Sequence, residues 1–370
     1  MGCAPSLHNS PGRIEQNEEI EQHEEIEQNE ASTIMSEESR TDVMQKDSAC
    51  GYLGEALTVF VVGASGDLAK KKTYPSLYDL YRQGFLPNKT CICGYARSAN
   101  TDEKFQERIL PFLKGGSDAE KRSFLDILIY RNGAYDSAED VGRVFEELKV
   151  IEDASGMERV NRLFYFAIPP TVFVPIGKSL KEGVIGPQEK EGAKGWSRLI
   201  VEKPFGKDTE SFEKLSGAMS ALYTEDYIFR IDHYLGKEMV KNLMTLRFSN
   251  AIFEPLWNRN HIASVMITFK EDFGTKGRGG YFDGYGIIRD VIQNHLLQVL
   301  SLVAMEPPVA VAGENYSNYV RNEKVKVLNC IEPATLENCV LGQYLAADDG
   351  SEVAYTDDPT VPSDSVTPTF

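Results

Sequence analysis

Leu57-Thr-Val-Phe-Val-Val62 runs directly into Gly63-Ala-Ser-Gly-Asp-Leu-Ala69. The first stretch is apolar and rich in β-branched residues, which predicts a strand buried on both faces. The second has the spacing G-x-x-G-x-x-A, and residues 70–82 behind it favour a helix. Strand, glycine-rich turn and helix in this order are typical of a doubly wound dinucleotide-binding fold. The candidate cofactor-binding residues are those of the turn: Gly63, Ala64, Ser65, Gly66, Asp67 and Leu68.

The next apolar stretch, Thr90-Cys-Ile-Cys-Gly-Tyr-Ala96, ends at Arg97 and Ser98. An NAD-selective fold places an acidic side chain at the end of this strand, where it binds the ribose 2′-hydroxyl. A guanidinium and a hydroxyl suit a 2′-phosphate instead. The alternative is an ordinary surface arginine that follows a strand. We favour NADP as the cofactor, with Arg97 as a binding residue.

Two later stretches, Arg162-Leu-Phe-Tyr-Phe-Ala-Ile168 and Arg198-Leu-Ile-Val201, predict further strands of the same sheet. Lys203 follows the second of them, and ligands of open α/β sheets bind beyond the carboxyl ends of strands. A lysine at a strand end is more often a surface charge than a catalytic group. Only the neighbouring motifs favour a functional role for Lys203.

The hexapeptide Asp232-His-Tyr-Leu-Gly-Lys237 precedes a run that is typical of a helix, residues 238–243. If the helix extends back through the motif, His233 and Lys237 share one face. Two cationic donors beside the free N–H groups of a helix start form a site for a phosphate monoester. The alternative is that Asp232 caps the helix while His233 and Lys237 are solvated.

His295 lies in a strongly helical stretch, residues 286–305. Its apolar neighbours at helical spacing indicate a half-buried core histidine. A carboxylate partner would change that interpretation, because it would fix the tautomer and stabilise the imidazolium formed by a general base.

Composition limits the function classes. The net charge is −17 over 370 residues, and residues 1–50 carry 12 acidic and 3 basic side chains, which is −9. The remainder is mildly acidic and has no basic surface typical of nucleic-acid binding. The six cysteines lack the spacing of a metal site or a disulfide scaffold, so no metal is predicted and a reducing cytoplasm is expected.

The N-terminal segment has two features of its own. Residues 14–30 repeat a hexad of one Ile followed by polar and acidic residues. One Ile in six buries too little surface to offset chain ordering, so the repeat is expected to be disordered or weakly helical, within a disordered acidic extension over residues 1–54. Met1-Gly-Cys-Ala-Pro-Ser6 matches the pattern for N-myristoylation at Gly2, with Cys3 available for palmitoylation. We therefore predict membrane contact only if these residues are acylated.

Taken together, these motifs resemble one family, the glucose-6-phosphate dehydrogenases, over roughly residues 57–370. The resemblance rests on the glycine turn at 63–69 and on Gly94-Tyr-Ala-Arg-Ser98, Glu202-Lys-Pro-Phe-Gly206, Arg230-Ile-Asp-His-Tyr-Leu-Gly-Lys237 and Arg289-Asp-Val-Ile-Gln-Asn-His295. The family's activity implies oxidation of glucose 6-phosphate at C1 to 6-phosphogluconolactone, with hydride transfer to NADP.

The resemblance also implies a role for each matching position. His295 would be the general base and Asp232 its partner. Lys203 would contact both substrate and nicotinamide. The substrate-binding residues would be His233, Tyr234 and Lys237 at the phosphate and Glu271 and Asp290 at the sugar hydroxyls.

The family fold implies an α/β chain in which a doubly wound Rossmann-like NADP domain, residues 55–230, is followed by a partial α+β substrate and dimerisation domain, residues 231–370. That second domain carries a large, mainly antiparallel sheet, and residues 265–270 and 325–330 look like its strands. The chain ends at Phe370, short of the family's usual extent, so the sheet is expected to be incomplete. If complete, it implies a homo-oligomer, either a dimer or a tetramer. Phe173 stands where the family commonly has Tyr.

Two rival hypotheses are weighed against this activity. A short-chain dehydrogenase would use Tyr-x-x-x-Lys, and no tyrosine in the sequence has Lys four positions later. A truncated, inactive chain that binds nucleotide or associates with full-length subunits retains every motif named above. The sequence alone does not exclude this second hypothesis.

Overall fold

The computed structural model describes residues 54–192, 194–271, 273–275, 277–310, 313 and 315–370. These residues belong to two compact units. The first unit runs up to Ala167 and includes Ser179–Ser197, and the second consists of Ile168–Lys178 and Arg198–Phe370. The acidic hexads, Gly2 and Cys3 lie outside the described residues. The predicted domain limits near residues 55 and 230 stay predictions.

A six-stranded parallel sheet carries the fold, with the strand order β3-β2-β1-β4-β5-β6. This is the doubly wound order. The chain first adds β2 and β3 on one side of β1, and it then adds β4, β5 and β6 on the other side. The fold-class prediction of a Rossmann-like α/β domain is therefore confirmed. The strands are β1 (Ala56–Val62), β2 (Lys89–Ala96), β3 (Leu128–Asn132), β4 (Val160–Phe166), β5 (Ser197–Val201) and β6 (Ile228–Arg230).

β1 lies at the centre of the first unit because it is apolar on both faces. All seven of its residues are buried, and it pairs in parallel with β2 on one side and β4 on the other. Phe60 is fully buried and packs on Tyr95, Phe145 and Phe164, with ring centroids 4.9–6.0 Å apart. Burying one such side chain contributes about 1.5–3 kcal/mol to stability.

Helices follow most strands. The α-helices are α1 (Tyr74–Arg82), α2 (Asp102–Ile109), α3 (Asp118–Asp126), α4 (Ala138–Ala154), α5 (Phe173–Leu180), α6 (Gly186–Glu191), α7 (Thr209–Ser220), α8 (Glu238–Phe248), α9 (Gly279–Asp283), α10 (Leu297–Ala304) and α11 (Tyr316–Cys330). Wider π-helical turns occupy Ala69–Thr73, Lys181–Ile185 and Ile288–Leu296. Single 3₁₀ turns occupy Leu110–Phe112, Pro170–Val172, Glu225–Tyr227, His233–Gly236, Glu254–Leu256, Leu336–Asn338 and Tyr355–Asp357.

Two strand predictions for the second unit are wrong. Residues 325–330 form the end of α11, because Val320 and Val327 recur at helical spacing and pack against Val240, Leu302 and Met305. The alternation of Val325 and Val327 is typical of a strand only when residues 325–330 are considered alone. Residues 265–270 form no ladder, and Met266 is 89% exposed. Among the described residues, none beyond Arg230 is in a strand.

Within the described part of the chain, no helix combines the length and the apolar composition needed to cross a bilayer.

Candidate active site

The glycine turn after β1 needs glycine at two positions. Gly63 has φ +86°, a conformation that side-chain-bearing residues rarely adopt, and its N–H donates to the carbonyl of Tyr95 at 2.8 Å. The N–H of Gly66 donates to the carbonyl of Gly63 at 2.9 Å, and a Cβ at Gly66 would lie only 3.1 Å from that oxygen. The turn is therefore a tight backbone cradle that a phosphate can approach closely.

The helix that follows the turn begins beside it. The N–H of Lys70 donates to the carbonyl of Gly66 at 3.1 Å, so helical hydrogen bonding starts within the cradle. Such a helix start favours a pyrophosphate through its N–H groups and its dipole. Asp67 is exposed, and hydrogen bonds from Lys70 and Lys71 lower its carboxyl pKa to about 2. Asp67 therefore stays ionised and paired with these two lysines.

Arg97 is exposed at the end of β2, and its guanidinium lies 5.6 Å from the centre of the Tyr135 ring. The next residue, Ser98, is fixed by Tyr130, whose hydroxyl donates to the Ser98 carbonyl at 2.5 Å. The arginine thus rests on an aromatic face with its N–H groups available at the edge of the first unit. This arrangement suits a phosphate ligand.

In the second unit, Lys203 and Asp232 follow two neighbouring parallel strands. Val201 of β5 pairs with Arg230 of β6. Lys203 lies two positions beyond Val201, and Asp232 lies two positions beyond Arg230. Adjacent parallel strands therefore deliver a cation and a carboxylate to the same edge of the sheet.

The helix does not extend back through residues 232–237, which we call the signature hexapeptide. His233–Gly236 forms a 3₁₀ turn, Lys237 is extended with ψ 136°, and α8 begins only at Glu238. The prediction that His233 and Lys237 share one α-helical face is therefore wrong. The short turn with Gly236 at its end breaks the helical spacing before Lys237.

One carboxylate oxygen of Asp232 makes two contacts. Its Oδ1 caps the 3₁₀ turn by accepting from the Tyr234 N–H at 3.0 Å. The same oxygen accepts from Nδ1 of His295 at 2.6 Å. Because a carboxylate can only accept, this contact places an imidazole proton on Nδ1. The same oxygen of Asp232 therefore caps the turn and bonds to His295.

His295 is only 2% exposed, and among the described residues its Nε2 has no hydrogen-bond partner. It lies on the π-helical segment Ile288–Leu296 rather than on an α-helix. In an α-helix, residues five apart point about 140° away from each other. The wider turn reduces this angle, so Asp290 and His295 lie closer to one face. Segments of this kind occur frequently at functional sites.

Aromatic and cationic groups surround the imidazole. Tyr234 stacks on His295 with ring centroids 4.1 Å apart, and His233 meets it edge-on at 4.6 Å. The ammonium of Lys237 lies 4.3 Å from the centre of the Tyr234 ring. The signature residues thus converge on His295 through ring contacts rather than through a shared helical face.

Two of these groups have shifted pKa values. Burial, followed by the charges of His295 and Lys203, lowers the pKa of His233, which favours its neutral form. Burial, followed by the charge of Glu271, raises the pKa of Tyr234 to about 12. Both side chains can therefore donate a hydrogen bond at neutral pH.

Lys203 and Asp290 form a pair of their own. The Lys203 ammonium donates to Oδ1 of Asp290 at 3.1 Å and to its carbonyl at 3.0 Å. Glu271 is exposed, and its charge acts on the Tyr234 hydroxyl. Phe173, the departure from the family pattern, is buried and packs 6.5 Å from the ring of Phe205.

Sequence reasoning missed two contributors to this cluster. Phe269 packs edge-on against Tyr234 at 5.4 Å and lies 5.9 Å from the Lys237 ammonium. The second contributor is the π-helical segment that carries His295. No residue pattern in that stretch distinguishes it from an α-helix. Among the described residues, no group of three or more potential metal ligands occurs.

Two family models cover almost all of the chain beyond the acidic segment. Residues 60–242 match "Glucose-6-phosphate dehydrogenase, NAD binding domain", and residues 244–370 match "Glucose-6-phosphate dehydrogenase, C-terminal domain". The chain belongs to this family. The resemblance that the sequence motifs indicated is thereby confirmed.

Individual relatives agree with the family models. Glucose-6-phosphate 1-dehydrogenase of Dictyostelium discoideum is 52% identical over 85% of this chain and 61% of its own length. The cytoplasmic isoform 5 of Arabidopsis thaliana is 51% identical over 85% and 60%, respectively. This chain thus spans about 60% of the length of these relatives.

Solved structures of the family share the fold. A glucose-6-phosphate dehydrogenase in complex with its substrate glucose-6-phosphate has a TM-score of 0.79 and 45% identity, over 85% of this chain and 64% of that one. The glucose-6-phosphate 1-dehydrogenase from Mycobacterium avium has a TM-score of 0.72 and 34% identity, with the same coverage of both chains.

Proposed function

We propose that the protein oxidises glucose 6-phosphate at C1 to 6-phosphogluconolactone and transfers the hydride to NADP, which is the first step of the oxidative pentose phosphate pathway. The observation that carries this proposal is the Asp232–His295 pair, a buried imidazole with its proton held on Nδ1 and its Nε2 unpaired among the described residues. We infer the substrate of this pair from the relatives named above.

In the proposed reaction, Nε2 of His295 takes the proton of the C1 hydroxyl. The Asp232 carboxylate stabilises the imidazolium that forms, and the stacked Tyr234 ring restricts its rotation. Positioned bases of this kind supply about 10²–10⁴-fold of a rate. When bound, NADP supplies the hydride acceptor.

The substrate contacts follow from charge and hydrogen-bonding capacity. Lys237 carries the positive charge for the phosphate, while His233 and Tyr234 donate hydrogen bonds to it. Glu271 and Asp290 accept from sugar hydroxyls. Lys203, already paired with Asp290, would exchange part of that contact for the substrate. Each charged phosphate contact should contribute about 1.5–3 kcal/mol to binding.

For the cofactor, the tight turn at Gly63 and Gly66 fits a pyrophosphate, and Arg97 fits the 2′-phosphate of NADP. Ala64, Ser65, Asp67 and Leu68 complete the turn, and Lys203 is proposed to contact the nicotinamide. A side chain at Gly66 would crowd the carbonyl of Gly63, so the cradle depends on the absence of a Cβ.

Turnover by the purified full chain tests this function directly. We expect NADP reduction at 340 nm that requires glucose 6-phosphate and is absent with glucose alone. The rival hypothesis, a chain that binds nucleotide without catalysis, predicts NADP binding with no turnover from folded material. The two outcomes are distinguished by measuring NADP binding calorimetrically on the same sample.

Arg97→Ala tests cofactor choice. We expect NADP affinity to fall by about 10- to 100-fold, because one charge-assisted contact of roughly 1.5–3 kcal/mol is lost. NAD affinity should change little, since NAD lacks the 2′-phosphate. Arg143, another exposed arginine of the first unit, serves as the matched control through Arg143→Ala. Equal losses for NADP and NAD would mean that Arg97 does not bind the 2′-phosphate.

The remaining parts of the proposal concern location and assembly. We place the protein in the cytoplasm because two of its Arabidopsis thaliana relatives are named cytoplasmic. Acylation at Gly2 and Cys3 with membrane contact, and assembly into a dimer or tetramer, stay predictions. Metabolic labelling with a myristate analogue and mass measurement in solution would test them.

A further inference from the structure

The C-terminal end of α10 is held by side chains from another segment. The last four carbonyls of a helix have no partner within the helix. Here Arg247 donates from Nη1 to the carbonyl of Leu302 at 2.6 Å and from Nη2 to that of Met305 at 2.7 Å. Trp257 donates from its indole N–H to the carbonyl of Val303 at 2.7 Å.

Arg247 is buried with unusual partners. It is 5% exposed, and its guanidinium lies 4.6 Å from the ring centre of Phe248 and 5.1 Å from that of Trp257. Its charge faces the negative end of the helix dipole, an arrangement that stabilises a cation. Burial lowers the pKa of Arg247 from its usual value. Burying a guanidinium costs free energy, and its hydrogen bonds to the carbonyls at the helix end offset that cost.

The helix that Arg247 holds is continuous with the segment carrying His295, since α10 begins at Leu297. Arg247 itself lies in the last turn of α8, whose first turn follows the signature hexapeptide. Polar contacts therefore flank the packing between the two helical segments. Asp232, which precedes α8, bonds to His295 on one side of that packing, and Arg247 bonds to the carbonyls of Leu302 and Met305 on the other.

Between these ends the contact is apolar. Val240, Leu243 and Met244 of α8 cluster with Val299, Leu302 and Met305. Apolar packing of this kind has no directional bonds, so the hydrogen bonds at the helix end add a directional restraint along the helix axis. One residue of slip moves a helix by about 1.5 Å. Misplacing a reacting group by about 1 Å can reduce a rate by 10²-fold.

We propose that Arg247 and Trp257 are positioning residues that set the axial register of the segment Ile288–Leu296, which carries His295, against the 3₁₀ turn His233–Gly236. This inference rests on the proposed function only for its kinetic readout. The Nδ1–H of His295, shared with Asp232, reports the same register without turnover, because its proton resonance depends on the 2.6 Å hydrogen bond.

The test uses Arg247→Met, which removes the donors but keeps a long side chain. We expect the His295 Nδ1–H resonance, assigned by its loss in Asp232→Asn, to move upfield or broaden. The kcat should fall by about 10-fold or more, and the glucose 6-phosphate dissociation constant should change by a smaller factor. In the Asp232→Asn background, Arg247→Met should reduce kcat by a much smaller factor, because the hydrogen bond between Asp232 and His295 is already lost.

Two further variants keep the proposal testable if Arg247→Met fails to fold. Trp257→Phe keeps the ring beside the guanidinium and removes one hydrogen bond, so it should produce a smaller change of the same sign. Arg259 is an exposed arginine two positions after Trp257, and Arg259→Met should leave the His295 Nδ1–H resonance and kcat unchanged. An unchanged resonance in folded Arg247→Met and Trp257→Phe would overturn the positioning role. An inactive wild type that shows the resonance would instead contradict only the proposed function.

Discussion

His295→Asn is expected to reduce kcat by about 10²–10⁴-fold while leaving glucose 6-phosphate binding nearly intact. The amide side chain still fits the space under Tyr234 and can bond to Asp232, but it offers no basic nitrogen where Nε2 stood. The C1 hydroxyl would then lose its proton to water. Because the proposed phosphate contacts come from His233, Tyr234 and Lys237, the ground-state affinity should change by less than about threefold.

Single-turnover kinetics and calorimetric titration of the substrate would separate these two effects. His261 supplies the control, since it is an exposed histidine of the same unit whose Nδ1 bonds to Asn258 at 3.1 Å. His261→Asn should leave both measurements unchanged. A His295→Asn protein with near-normal kcat would remove His295 as the base, whatever its geometry with Asp232.

The sheet could be predicted because its signal is local. The apolar run before Gly63 and the turn spacing define β1 and the cradle, and both require only neighbouring residues. Arg97 is located by the same logic, since it directly follows β2. The strand order, by contrast, depends on pairings between residues far apart in sequence.

The interior of the candidate site was harder to predict. The pairing of Asp232 with His295 came from the family resemblance, because nothing local links residues 63 positions apart. The helical face shared by His233 and Lys237 was a wrong prediction, since a 3₁₀ turn and an α-helix have similar sequence preferences. The strand at 325–330 was wrong because Val325 and Val327 alternate as in a strand, whereas Val320 and Val327 have helical spacing and pack against Leu302.

Asp232→Asn should be the second most damaging substitution, and it separates the two roles of this carboxylate. Asn is as good a helix cap as Asp, so Oδ1 can still accept from the Tyr234 N–H and the turn should survive. The charge proposed to stabilise the imidazolium is lost. An amide N–H can also donate to Nδ1, which would move the imidazole proton to Nε2 and occupy the lone pair that the proposed reaction needs. We expect kcat to fall by about 10²–10⁴-fold.

Asp232→Ala provides the comparison that makes this result specific. It removes the charge and the cap together, so its kcat should be as low as that of Asp232→Asn. Its free energy of unfolding should be lower by a further amount of about 0.5–2 kcal/mol, the usual cost of losing a cap. Denaturant unfolding of the two variants measures that difference. If Asp232→Asn retains kcat while Asp232→Ala loses it, Asp232 acts by shaping the turn, and the carboxylate has no part in proton transfer.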